Sequence, residues 1–403
     1  MKEGKDKNIN DLAELLISKI LESLEKRGEL ILENVEIEVD ELELTLHPRV
    51  VREMIKAPPV VKRVLKLAEV KLEEPVMEWP GKVIEVKIGA TKSEGGTRNK
   101  SIVVGGETHP PIYLFKGTIP HSPVVAMDVF DMRIRLPKSI RQHFDDVMDD
   151  PSEWAKRCVE KYGAEVINLH LISIDPYIKD TSPSEAAKVV EDVLQAVKVP
   201  LTIGGCGDPE KDVKVFKKVV DVAEGERVVL NSLNLDMKLE EIGEHLKNKD
   251  TVVIAFTPMD LDKARELNRK LYDYLPKERI MMDTNIAGIG YGIEYGFTVM
   301  ERARLAALKG DTDLQHPIVS GVTNAWAARE AWMKMDPFWG PKELRGPIWE
   351  TITGLVSLLA GADYLMVMHP FTVQTLKDII NFFMKEEKPS SEEIYDWVSM
   401  KVE

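Results

Sequence analysis

Cysteine is scarce in this sequence. Its 403 residues include two, Cys158 and Cys206. Two thiols cannot make a four-cysteine iron–sulfur or zinc site, so no iron–sulfur cluster is expected in this chain. Cys206 has no basic neighbour in sequence to activate it. The eight histidines lie far apart, and no HxH or HExxH spacing occurs, so metal binding has no motif to rest on. Long apolar runs are missing too. The best candidate, 352–362, is broken by Thr353, Gly354 and Ser357, and it falls short of the roughly 18 residues that a spanning helix needs. No membrane contact is expected. The start, MKEGKDKNIN, lacks an apolar signal segment, which points to the cytoplasm. Basic charge is also short. The formal net charge of −14 excludes the basic stripe typical of a nucleic-acid surface. There is no GxSxG elbow and no P-loop, and GIGYG at 288–292 lacks the GxGxxG spacing.

What the chain does have is periodicity. Residues 9–27 carry apolar side chains at helical spacing and predict an amphipathic helix. Residues 33–46 alternate apolar and acidic side chains and predict a half-buried strand or hairpin. A helical stretch is expected around 60–72, then a strand pair at 83–90 and 101–106. Together these make an N-terminal α+β extension, 1–118, expected to pack on the rest of the chain because no low-complexity linker intervenes.

From Pro123 the rhythm changes. Eight short apolar runs begin, at 124–131, 165–173, 200–205, 227–234, 251–258, 279–286, 316–324 and 363–370. Each is continuous rather than alternating, as in parallel strands buried on both faces. Helical stretches lie between them, such as 184–197, 211–223 and 261–275. The expected fold class is α/β, a (β/α)8 TIM barrel over 119–386 with the N-terminal extension before it and a C-terminal helical tail at 387–403. A doubly wound open sheet is the alternative, but it would more often carry a glycine fingerprint after its first strand. Here that strand ends in DVFD.

In such barrels the loops after the strands carry the chemistry. Polar residues stand at these ends almost throughout. The candidates are Asp128, Asn168, His170, Gly204, Gly205, Gly207, Asn231, Asp283, Thr284, Asn285, Thr323 and Asn324. Amides, hydroxyls and carboxylates of this kind suit hydrogen bonding to a nitrogen-rich ligand and suit a metal poorly. The bland readings are a turn for GGCGD at 204–208, a turn cap for Asp128, and satisfied core positions for His170 and His369. Between the last two strands, 324–350 holds Trp326, Trp332, Trp339 and Trp349 with Met333, Met335 and Phe338. Such residues either pack the barrel wall or meet a partner.

MDVFD, INLHLISIDPYIKD, PLTIGGCGDPEKD, MMDTNIAGIGYGIEYGFTVMER and SGVTNAWAAREAWM together resemble one family, over about residues 75–385. It is the delta subunit of the archaeal acetyl-CoA decarbonylase/synthase complex, counterpart of the small subunit of the bacterial corrinoid iron–sulfur protein. More distantly the barrel is similar to pterin methyltransferases. The resemblance implies a heterodimer with a gamma subunit that carries the iron–sulfur cluster, inside a larger complex with alpha, beta and epsilon subunits. It implies a cobamide (corrinoid) shared with gamma, through which a methyl group moves between a tetrahydropterin and the acetyl-CoA synthase subunit. It also implies a part in quaternary structure. The twelve strand-end residues are expected to contact the cofactor, and no catalytic residue is expected in this chain. Direct binding of the tetrahydropterin stays open, as does the alternative of an autonomous pterin-dependent methyltransferase.

Overall fold

The computed structural model describes residues 77–111 and 119–385, together with Ser18, Lys19 and Glu22, which are helical. The chain divides into two units, 1–71 and 72–403. Most of the helix expected at 9–27, the elements expected at 33–46 and 60–72, and the tail at 387–403 lie outside the described residues.

The strand pair expected near 83–106 is present as β1 (Val86–Ile88) and β2 (Ile102–Val104), antiparallel with Val86 opposite Val104. All eight apolar runs then form strands. They are β3 (Val124–Phe130), β4 (Val166–His170), β5 (Leu201–Gly204), β6 (Val229–Leu233), β7 (Val252–Phe256), β8 (Ile280–Asp283), β9 (Ile318–Gly321) and β10 (Ala362–Val367). Each pairs in parallel with the next, and β10 closes on β3, giving a (β/α)8 barrel. Helices connect consecutive strands and start where the side chains demand it. Asp150, Ser182, Asp208 and Asp260 each accept backbone N–H groups as N-caps, and the first three are followed by proline.

Alternation along each strand sorts the core into two parts. One face packs against the helices. The other fills the barrel with Val124, Ala126, Val166, Val229, Ile254, Met281, Tyr364 and Met366. Val86, Ile88 and Val104 join that inner cluster, so the β1–β2 hairpin seals one end of the barrel. It is the end where strands begin. Ile84 N–H donates to Gln315 O at 2.7 Å, Gly89 N–H to Arg227 O at 2.9 Å and Asn99 N–H to Lys198 O at 2.7 Å, all just before barrel strands.

Buried arginines hold this seal. Arg98 donates to Glu226 at 2.7 Å and to the carbonyls of Leu194 and Val197 at 2.7 Å each. Arg304 donates to Asp363 at 2.5 Å and to Glu107 at 3.3 Å, while Asp363 also accepts Ile318 N–H at 2.6 Å. Removing one member of such a group strands the others in a dry interior. Arg304→Met should therefore cost about 3–5 kcal/mol of stability. Denaturant unfolding at neutral pH measures it, and a loss near zero would mean that the carboxylates had found water.

Candidate functional site

The seal leaves the opposite end, where strands finish, as the mouth. Inward parity carries polar side chains to it: Asp128 continues the Val124–Ala126 series, Asn168 follows Val166, Asn231 follows Val229 and Asp283 follows Met281. Register sets them side by side. Asp128 is opposite Asn168, His170 opposite Gly204, and Gly204 opposite Asn231.

One cluster centres on Asp128, which is 1% exposed. Its Oδ1 accepts Asn168 Nδ2 at 2.7 Å, lies 3.1 Å from His170 Nε2, and its Oδ2 accepts the Thr323 hydroxyl. Asp128 is thus no turn cap. Asn168 Nδ2 also approaches Met366 Sδ at 3.2 Å, and Asn231 Nδ2 approaches the same sulfur at 3.4 Å. Met366 therefore ties Asn231 to the cluster. Asn168 Oδ1 is buried without a hydrogen bond among the described residues.

A second cluster gathers around Asp283. Its Oδ1 accepts Asn285 N–H at 2.7 Å, and Asn285 takes a left-handed φ of 69° to present it. Burial pushes the Asp283 carboxyl up to about 7, because that single backbone donor only partly offsets the lost hydration. Thr284 and Thr257, both buried beside it, have hydroxyls with no partner among the described residues. Asn324 Nδ2 donates to Ile286 O at 2.9 Å and to Asn285 Oδ1 at 3.3 Å, which makes it a tie between two loops.

The glycine segment is separate from both clusters. Asp212, from the following helix (Pro209–Val222), accepts Cys206 N–H and Gly207 N–H at 2.9 Å each. A Cβ on Gly205 would stand 2.4 Å from that carboxylate, and Gly207 has φ 92°. Burial pushes the Cys206 thiol up to about 12, so it is inert at neutral pH. Gly204 alone of the three belongs to the mouth, beneath His170.

His369 is a satisfied core residue. Its Nδ1 accepts Phe371 N–H at 3.1 Å, Nε2 lies 3.2 Å from Ser139 O, and burial lowers its pKa to about 3. The aromatic insert divides between the two readings. Trp326 is buried against Gly346, whereas Trp332, Phe338 and Trp339 are 39%, 93% and 44% exposed.

A family model described as the CO dehydrogenase/acetyl-CoA synthase delta subunit matches residues 85–336. The chain belongs to that family. The acetyl-CoA decarbonylase/synthase complex subunit delta of Archaeoglobus fulgidus is 49% identical over 344 residues, 84% of this chain and 76% of that one. Its namesake in Methanopyrus kandleri is 45% identical over 387 residues, 94% and 96% of the two chains. Among solved structures, a Coxiella burnetii dihydropteroate synthase in complex with pteroic acid is 12% identical with a TM-score of 0.46, over 74% of this chain and 99% of that one. That likeness is too slight to say anything of a ligand.

In this delta-subunit chain the family match spans every predicted site residue, from Asp128 to Asn324. Three partners that sequence reasoning missed are Asp212, Met366 and Glu350, the last two beyond the match. Glu350, buried in the helix Lys342–Ala360, accepts Met368 N–H at 2.7 Å and His369 N–H at 3.0 Å, and burial pushes it up to about 7. Its signal was a lone acid in the apolar stretch 347–362. Among the described residues no group of three or more His, Cys, Asp or Glu is arranged to hold a metal, and no helix is long and apolar enough to cross a membrane.

Asp283 gives a pH test. An unfolded aspartate ionises near 3.9, so a folded value of about 7 favours folding while the group is protonated and loses that contribution as pH rises from about 4 to 7. Asp283→Asn should stabilise the chain by up to ~4 kcal/mol at pH 8, with the gain fading by pH 4. Thermal unfolding across this range measures it; a gain independent of pH would remove burial of the charge as its cause.

Proposed function

We propose that this delta-subunit chain covers one face of a cobamide held jointly with a gamma subunit, within a complex that also has alpha, beta and epsilon subunits in the cytoplasm. The observation that carries the reading is where exposed apolar surface lies. Tyr177 follows β4, Met259 follows β7, Tyr291 follows β8 with Tyr295 in the first turn of the next helix (Ile293–Leu308), and Phe338 and Trp339 lie in the insert after β9, all large hydrophobics exposed beyond strand ends. Apolar and aromatic surface collected on one face marks an interaction site.

The lining suits the cofactor. Asn231, Asn285 and Thr323 are part-exposed at the strand ends, and such amides and hydroxyls pair with the amide arms of a corrin. His170 Nε2 accepts Asn168 Nδ2 at 2.9 Å, so that nitrogen is taken up within the lining. When bound, the cobamide supplies the methyl-carrying metal centre. The chain contributes a dry, shaped wall, and it positions groups for transfer. The twelve strand-end residues divide accordingly: the Asp128 and Asp283 clusters face the ligand, and Gly205, Gly207 and Asn324 shape loops.

A second ligand is favoured by Asp283. One of its oxygens is anchored by Asn285 N–H, and its carboxyl titrates near neutral pH at the mouth. That pattern suits recognition of the N–H groups of a tetrahydropterin ring. On this reading the methyl donor binds in the mouth, and the chain is a methyl-tetrahydropterin:corrinoid methyltransferase component.

Two measurements test these readings. Co-purified with gamma, the chain should retain a corrinoid absorption band, and Phe338→Asp should weaken that pairing at least ~10-fold; stoichiometric corrinoid binding by the isolated chain would overturn joint holding. Asn231→Ala should raise the Kd for methyl-tetrahydropterin by ~10-fold, and an unchanged Kd would remove the pterin from this mouth.

A further inference from the structure

Met366 does more than fill the floor of the mouth. It stands on β10, four strands around the closed barrel from β6 in either direction, so it faces Asn231 across the bore. Its thioether is the acceptor that the Asn231 side chain finds among the described residues: Nδ2 donates to Sδ at 3.4 Å. Asn168 donates to the same sulfur at 3.2 Å, but its direction is set elsewhere. That Nδ2 also gives to Asp128 Oδ1 at 2.7 Å and to His170 Nε2 at 2.9 Å, and an oxygen turned the same way would meet a carboxylate. Asn231 has no second constraint. A thioether has lone pairs and no hydrogen to give, so it takes Nδ2 and refuses Oδ1. The two atoms stand at opposite edges of the flat amide, which turns the oxygen away from the bore. No described residue donates to Oδ1, and Asn231 is part-exposed at the mouth. The reach across the barrel needs a long, unbranched side chain. Met366 supplies it from within the inner cluster.

We propose that Met366 is a positioning residue: its sulfur holds the Asn231 amide with Oδ1 toward the mouth, so that the β6 side of the site reads a hydrogen-bond donor on the methyl-carrying ligand. This rests on the reading that the methyl donor binds in the mouth. Asp283 is anchored in the same mouth by backbone, through Asn285 N–H at 2.7 Å. The Asn231 side chain has no backbone anchor and depends on a side chain from the opposite wall. Freed of the sulfur, the amide would present either edge, and the ligand would have to order it on binding. Held by the sulfur, it also discriminates. A ligand that brought an acceptor to β6 would set oxygen against oxygen, and the amide could turn only by giving up its bond to Sδ.

The test has two arms. Met366→Leu keeps the bulk, a swap that cores tolerate, and removes the acceptor. In the full chain with 15N-labelled asparagine side chains, it should speed solvent exchange of the Asn231 Nδ2 hydrogens at least ~10-fold. In the assembled complex it should raise the Kd for methyl-tetrahydropterin ~5-fold, with kcat for methyl transfer within about twofold. Met366→Gln returns an acceptor at similar reach and should bring Kd back to within about twofold of the parent. Asn231→Asp offers an oxygen at either edge, so in that background Met366→Leu should change Kd less than about twofold. Unchanged exchange, an equal rise of Kd in both backgrounds, or a fall in kcat with Kd unmoved overturns the positioning role. If Asn231→Asp itself abolishes pterin binding, the ligand does not meet that oxygen and the proposal falls while the pterin reading stands. If equilibrium dialysis shows no methyl-tetrahydropterin on the parent complex, that reading falls and takes the proposal with it, whatever the exchange rates.

Discussion

The barrel's interior is filled from below, and the chemistry at the top depends on that filling. Val86, Ile88 and Val104 enter the inner cluster from the hairpin side, so the low end is apolar, dry and bolted by Arg98 and Arg304. Parity does the rest. Once Val124 and Ala126 face inward, Asp128 has no choice. A one-residue slip of β3 would send Asp128 into the layer between barrel and helices and bring Val129 to the mouth. The cost of such a slip is the burial of an unpaired carboxylate together with the loss of two apolar layers, and this keeps the polar ring in place.

Two carboxylates share that ring in unlike surroundings. Asp128 collects an amide and a hydroxyl, with the His170 imidazole 3.1 Å away. Asp283 has one backbone N–H and is pushed up to about 7. A carboxylate surrounded by donors is fixed in direction and serves to orient others. One with a single donor, poised near neutral pH, can take or release a proton as its ligand arrives. Holding Asp283 this way costs the folded chain stability at neutral pH, so the site is sustained by the core below it rather than by its own contacts.

The barrel was legible because strands buried on both faces must be apolar throughout, and eight such runs with helices between them leave few architectures. The ring was legible for the same reason: a polar residue that ends an apolar run has nowhere to go except the mouth. What lay hidden were the supports. Nothing local shows that Gly205 is glycine because Asp212 occupies its Cβ position, or that Met366 joins Asn168 to Asn231 across the barrel. The Met366 contacts depend on closure of β10 on β3, strands far apart in sequence, whereas the Asp212 contact depends on how the helix Pro209–Val222 turns back over its own loop. Asn324 and Thr323 are adjacent in sequence, yet one ties loops and the other holds Asp128, a division that the loop's path decides.

On the reading proposed above, the insert after β9 is the part of the fold that meets a partner. Its inner side is tied firmly. Trp326 lies on Gly346, and Arg345 donates to Glu330 O at 2.8 Å and Met333 O at 2.5 Å. Glu350, on the same helix, accepts the N–H groups of Met368 and His369 just past β10. The outer side presents Phe338 and Trp339. An exposed aromatic on a loose loop loses much of its contact energy to the entropy of ordering that loop, whereas one on a braced segment has met that cost during folding. On that reading the buried hydrogen bonds of Arg345 and Glu350 act at a distance from the interface, by keeping Phe338 and Trp339 in place before a partner arrives.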